Sequence, residues 1–258
     1  MTALADRHRG LLALAARETD RVLKLWSQTI VAPVLASFLF IVVFGLSLGG
    51  RIRSFGGVEY EVFIVPGLIA MAMAQAAYSN NASSVFQARS DRYINDVLSA
   101  PMRPWEVNLG LAFGGVVRAL AIGVALLVLA IAATDVPVRE PLVLALAVAL
   151  LLVLFASLGV VIGVYAETWD QHGFVNNIVI LPLSFLGGVF YSVELLPSPW
   201  EELSYVNPIF FLINAIRFGF LGTSDVPVEV ALAVTAALAL ACVAWSGAIF
   251  RSGRRLKA

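Results

Sequence analysis

The sequence predicts an all-α, polytopic membrane protein. It has six transmembrane helices, an N-terminal interfacial helix and an outer re-entrant helical hairpin before the last span. Three observations predict this class. Six apolar runs, at 30–49, 62–83, 107–133, 141–166, 174–192 and 228–250, fill most of the 258 residues. The hydrocarbon core of a bilayer is roughly 30 Å thick, so about 20 helical residues cross it. The runs are continuous rather than alternating, which makes them helices and not barrel strands. The chain is 60% hydrophobic and only 13% charged, too apolar for a water-soluble domain. Finally, the charges gather at the ends of the runs. The five tryptophans, Trp26, Trp105, Trp169, Trp200 and Trp245, also lie near run ends, where an aromatic belt forms.

Six spans put both termini on one side. The formal net charge of zero hides an asymmetry: twelve Lys and Arg residues fall on the terminal side and four on the other, with Arg118 inside a span. The positive-inside rule then places both termini in the cytoplasm. The domains follow as a cytoplasmic segment at 1–29, a membrane domain at 30–250 and a basic tail at 251–258.

Residues 1–29 are too polar for a cleaved signal peptide, so the first span serves as an uncleaved insertion signal. Within that segment Leu4, Leu11, Ala15, Val22 and Trp26 share a helical face, with Arg17, Glu18, Asp20, Arg21 and Lys24 mostly off it. The pattern fits a helix lying in the interface, firm from Leu11 because Gly10 breaks it.

The connection at 86–106 is longer than a simple link needs. It mixes Arg89, Asp91, Arg92, Asp96, Arg103 and Glu106 with Tyr93, Ile94, Val97 and Leu98. This predicts a short amphipathic helix stopped by Pro101 and Pro104, suited to docking a soluble partner. Between the third and fourth spans a short outer link suffices. Between the fourth and fifth, 167–172 form a cytoplasmic turn that contains His172. The outer segment 193–227 opens with a Pro- and Glu-rich turn and becomes apolar again from Ile209 to Leu221, interrupted by Asn214 and Arg217. That run is too short and too polar to cross, so it reads as a re-entrant hairpin.

Soluble-enzyme chemistry finds no support. Neither lysine, Lys24 or Lys257, stands in a Gly-Lys-Ser/Thr phosphate loop, so ATP hydrolysis by that route is excluded. His8 and His172 lack zinc-site spacing, no Gly-x-Ser-x-Gly elbow occurs, and the lone Cys242 is a packing residue. No catalytic or metal-ligating set, and no nucleic-acid partner, is expected.

Polar residues within the spans are few. Asn80 and Asn81 end the second span, and Asn176 and Asn177 begin the fifth. Amides at that depth either hydrogen-bond between helices or line a wet path. Arg118 lies about 15 Å along its helix from Asn108, at about 1.5 Å per residue. A lone guanidinium there is costly and needs a partner, a water cavity or a snorkelling route. An ion pair with Glu167 or Asp170 is the structural expectation, and contact with an anionic substrate or lipid headgroup is the functional one.

The stretch Pro182-Leu183-Ser184-Phe185-Leu186-Gly187-Gly188-Val189-Phe190-Tyr191 is followed by Leu196-Pro197, Asn207-Pro208 and Ala215-Ile216-Arg217. Together these resemble the C-terminal signature of ABC-2 type exporter permeases. Leu98-Ser99-Ala100-Pro101-Met102-Arg103-Pro104 resembles that family's segment after the second span. The resemblance covers nearly the whole chain and is closest to short permeases of two-gene bacterial systems, in the nodulation-factor and anthracycline exporter branches.

The resemblance implies a permease of the bacterial inner membrane that pairs with a second copy and with two copies of a separate ATPase, and that contacts membrane lipids. It implies that ATP and Mg are held by the ATPase, with no cofactor on this chain. The path would carry an amphiphilic, lipid-linked or drug-like substrate. The resemblance makes 86–106 the coupling helix, with Arg89, Asp91, Arg92, Asp96 and Arg103 as contacts. It places Asn80, Asn81, Asn176 and Asn177 on the path, and Gly187, Gly188, Tyr191, Asn207 and Arg217 at an outer gate. One departure is visible: many relatives carry a Glu-rich start and a Gly-Thr pair in the coupling segment, where this chain has Arg89-Ser90-Asp91-Arg92-Tyr93-Ile94-Asn95. An ATP-independent channel or lipid scramblase is the competing expectation.

Overall fold

The second apolar run forms the hub of the molecule. In the computed structural model, which describes residues 8–49, 57–253 and 255–256, it is the helix α3, Tyr60–Ser90, buried along nearly its whole length. Around it stand α2, a π-helical turn Ser27–Val31 running into Ala32–Gly49, then α5, Pro104–Thr134, and α6, Pro141–Tyr165. The helix α10, Val228–Ser252, packs on the outside of α5 and α6. These five are individually long and apolar enough to cross a membrane. Residues Leu4, Arg7, Arg51, Arg53, Arg254 and Lys257, used above for topology, lie outside the described residues.

Close approach to the hub is a matter of small residues. A Cβ on Gly159 would come within 2.5 Å of the Tyr78 carbonyl oxygen, and one on Gly163 within 2.7 Å of that of Ala82. Only glycine at these two places lets α6 lie directly on the backbone of α3.

The N-terminal helix α1 spans Arg9–Lys24 and includes Gly10. Gly10 does not break it; the Met102 side chain fills the space beside its Cα instead. The face that packs is also different from the expected one. Leu14, Glu18 and Val22 are buried, while Trp26 is exposed. The reason is that α1 lies on α5 and not solely on an interface, and Gly110 and Gly114 of α5 open room for Leu14 and Glu18.

The connection after α3 contains a turn with Arg92 in the left-handed region, φ +61°, and then the short helix α4, Ile94–Ser99. Helix α3 runs on to Ser90, so Arg89 belongs to it and not to α4. Pro104 does not stop a helix; it is the first residue of α5, where a missing N–H costs nothing.

The fifth run is shifted from its expected bounds. Helix α7 is built from Trp169–Val175, a π-helical turn Asn176–Ile180 and Leu181–Leu186. Residues 169–172 of the expected turn 167–172 form its first turn, and it ends before Gly188, whose φ of +82° suits glycine. Beyond lies the outer hairpin: α8, Trp200–Val206, and α9, Pro208–Leu221, meet at 86°. Helix α9 is buried against α6, α10 and α3.

Candidate functional site

Helices α2, α3 and α7 enclose a cavity of about 330 Å³ whose floor carries Arg118 from α5. The α3 wall presents Met71, Gln75 and Ser79, spaced four apart and so on one helical face. Phe40 from α2 and Phe185 from α7 flank it, and both are exposed on the outer surface of the monomer.

Asn176 of one π-helical turn lines this cavity, as does Pro33 just after the other, and each turn is followed by a proline at the same offset: Ser27–Val31 by Pro33, and Asn176–Ile180 by Pro182. In an α-helix the residue at 33 would donate to the carbonyl of Thr29, and a proline cannot. Arg118 supplies the missing donor, with its Nε 2.9 Å from the Thr29 oxygen. The expected ion pair with Glu167 or Asp170 does not form. Both acids are exposed near the start of α7, and no ion pair of Arg118 occurs among the described residues.

The four asparagines separate into two kinds. Asn81 has no exposed surface. Its Nδ2 donates to the carbonyls of Ala112 on α5, at 3.0 Å, and Ala156 on α6, at 3.2 Å. Its Oδ1 accepts from the Gly115 N–H at 2.9 Å. Asn80 is also buried, and its amide, turned to present oxygen, lies 3.2 Å from Arg21 Nη2 and 2.9 Å from the Gly115 N–H. These two amides therefore bind three spans together inside the chain, and the cavity does not touch them. Asn176 does line the cavity, and it donates to the exposed Asn177 at 3.1 Å. The Asn176 Oδ1 is shielded from solvent and accepts no hydrogen bond among the described residues.

On the terminal side, Asp91, Arg92, Asp96 and Arg103 are exposed around α4, while Ile94 is buried beneath them. Arg89 stands apart. Its Nη1 donates to the carbonyls of Gly163, at 3.4 Å, and Ala166, at 3.1 Å, so it caps the C-terminal end of α6. Just before α4, Tyr93 meets α1, where the Arg17 guanidinium sits 4.1 Å from its ring centroid. Burial pushes the Tyr93 hydroxyl above its ordinary pKa, so the ring stays neutral there. His8 Nδ1 lies 2.6 Å from Glu106 Oε1, and Glu106 Oε2 accepts from the Arg103 N–H at 2.6 Å, fastening the start of α1 to the start of α5.

The outer residues converge. Arg217 is buried, donates to the Gly188 carbonyl, lies over the Phe63 ring at 4.2 Å and approaches Asp225 to 3.9 Å. Asp225 in turn accepts from Ser192 Oγ at 2.9 Å and from the Val193 N–H at 3.0 Å. Asn207 caps α9 by accepting from the Ile209 N–H and donates to the Leu183 carbonyl at 2.6 Å, so it fastens the hairpin to α7. Gly187 packs against Ile213 and Phe210, and the Tyr191 carbonyl lies close to Gly188.

Sequence reasoning missed Gln75, Ser79 and the inward Glu18. An amide and a hydroxyl four residues apart within an apolar run were the available signal for the first two. Among the described residues no three His, Cys, Asp or Glu side chains converge on a metal position.

The ABC-2 type transporter family matches residues 9–221. The chain is 40% identical over 252 residues to the inner membrane transport permease YadH of Escherichia coli K12, covering 96% of this chain and 97% of that protein. It is 28% identical over 202 residues to nodulation protein J of Rhizobium leguminosarum bv. trifolii, covering 76% and 77%. Nodulation protein J of Sinorhizobium fredii NGR234 is 28% identical over 199 residues, covering 74% and 75%. On the match over residues 9–221 and the 40% identity across nearly its full length, this chain belongs to the ABC-2 type transporter family of membrane permeases.

Proposed function

We propose that two copies of this permease form an export path in the bacterial inner membrane, driven by two copies of a separate ATPase that holds ATP and Mg, and that both termini are cytoplasmic. The observation that carries this reading is the cavity between α2, α3 and α7, which combines polar groups at depth with exposed apolar flanks. A lone chain gains nothing by showing such a face to lipid, whereas a second copy set against it encloses a path. The exposed rim of Asp91, Arg92, Asp96 and Arg103 supports docking of a soluble subunit on the terminal side. The likeness to a protein named as an inner membrane transport permease supports the location. Asn176, which lines the cavity, and its exposed neighbour Asn177 support the reading of these amides as part of the path.

The test is co-expression with a candidate ABC ATPase subunit, co-purification, and measurement of amphiphile-stimulated hydrolysis in nanodiscs. Stable association with stimulated turnover is expected. Substrate movement by the permease alone, unchanged by ATP, would establish the channel or scramblase instead.

A further inference from the structure

We propose that the cavity between α2, α3 and α7 binds the headgroup of an anionic amphiphile, with Arg118 as its counter-charge. This rests on the reading of that cavity as part of the path and narrows the class of substrate.

Among the described residues, Arg118 is the one charged residue lining the cavity, and no carboxylate shares it. A guanidinium midway along a membrane helix is expensive unless something neutralises it. Only Nε is engaged, by the Thr29 carbonyl. The two terminal nitrogens donate to no group among the described residues, which leaves the planar fork free for two oxygens of a phosphate or carboxylate. Its orientation is already fixed by the Thr29 contact, so little is lost in ordering it. Around it stand Gln75, Ser79 and Asn176, whose unpartnered Oδ1 accepts from a hydroxyl or from a protonated headgroup oxygen.

The remaining lining is apolar. Phe40 and Phe185 lead from the charged floor to the exposed face of the bundle. A volume of about 330 Å³ holds a headgroup and a few methylenes, so the rest of an alkyl chain lies along these rings. A cationic drug is disfavoured because it meets a like charge at low dielectric, and a neutral one leaves the guanidinium uncompensated.

The test measures binding on the purified full-length permease, without an ATPase, in phosphatidylcholine nanodiscs by native mass spectrometry. The probes are dodecyl phosphate, the uncharged dodecyl glucoside and inorganic phosphate. Dodecyl phosphate is expected to bind at least about tenfold more tightly than dodecyl glucoside, the scale of one charge-assisted fork. Arg118→Gln should erase that preference and Arg118→Lys should keep part of it. If Arg118→Gln does not fold, Ala36→Phe fills the cavity while leaving Arg118 and its Thr29 contact intact, and it should abolish binding of dodecyl phosphate. Equal affinity for the two amphiphiles, a preference that survives Arg118→Gln, or undiminished binding in Ala36→Phe overturns the proposal. So does displacement by inorganic phosphate at the same concentration as dodecyl phosphate, which marks a site for free anions. Because no ATPase is present, failure here is separable from failure of ATP coupling in the complex.

Discussion

The Ser84 hydroxyl donates to Glu18 Oε2 at 2.6 Å, joining the inward face of the N-terminal helix to the hub. Arg21 shares the same oxygen at 3.2 Å and also donates to the Asn80 carbonyl. Glu18 is only 1% exposed, so this helix is held by a buried charge and not merely by apolar contact. Glu18→Ala is expected to cost about 1–3 kcal/mol, since it strands a buried hydroxyl and the Arg21 charge. Ser84→Ala should cost less. A double-mutant cycle on thermal unfolding of the purified permease reads the coupling between them, and strict additivity would show the contact to be idle.

The two asparagine pairs should respond differently. Asn81→Leu removes three bonds among α3, α5 and α6 and is expected to lower thermal stability, at about 0.6–2 kcal/mol per bond in a membrane setting. Asn177→Leu, on an exposed side chain, should leave stability unchanged and reduce substrate-stimulated ATPase activity of the complex. Comparing melting temperature with turnover for both variants decides the matter. Unchanged turnover in Asn177→Leu removes that residue from the path.

Charge reversal at the terminal side also divides in two. Arg92→Glu with Asp96→Lys alters only exposed groups and is expected to leave insertion and melting intact while weakening ATPase co-purification. Arg89→Glu strips the carbonyl cap from α6 and sets a carboxylate against the negative end of that helix, so it should lower stability before any coupling is tested. Loss of stability in the Arg92/Asp96 variant would count against α4 as a docking helix.

Arg217→Ala leaves the Asp225 carboxylate without its cation and the Gly188 carbonyl without its donor. A loss of about 3–5 kcal/mol is expected, the scale for removing one member of a buried charged pair. Trypsin or heat should then release the outer hairpin first, which limited proteolysis with mass mapping detects.

Orientation is testable with single cysteines in a Cys242→Ala background. Cysteines at Ser198 and Ser252 are expected to react with a membrane-impermeant maleimide from opposite faces. Labelling of both from outside rules this topology out.

The runs were legible because burial in lipid imposes one rule on every residue, but their ends were not, since more polar segments such as 169–172 and 84–90 continue the helices beyond the apolar stretch. Contacts between helices obey no such rule. Glu18 was placed off the packed face because a helical wheel assumes a flat interface, whereas Gly110 and Gly114 carve a slot that admits a carboxylate. Asn80 and Asn81 read the same as Asn176 and Asn177 in composition and depth. What separates them is whether carbonyls of two neighbouring helices happen to lie within reach. Arg89 and Arg92 are three residues apart and looked alike as surface charges, yet the extra turn of α3 turns one onto the end of α6 and leaves the other in solvent.

The paired π turns before Pro33 and Pro182 bear on how α2 and α7 should be drawn and engineered. A π turn carries one residue more than an α turn, and one residue is about 100° of rotation at 3.6 per turn. A wheel plotted straight through either span is therefore out of phase beyond the bulge, and residues assigned to lipid on one side of it belong to the cavity on the other. Deleting a single residue from Asn176–Ile180 would restore α phase, swing the N-terminal end of α7 by that angle, and turn Asn176 away from Arg118. The facing of α7 is thus set by one inserted residue, a separate instruction from the apolar composition of its run.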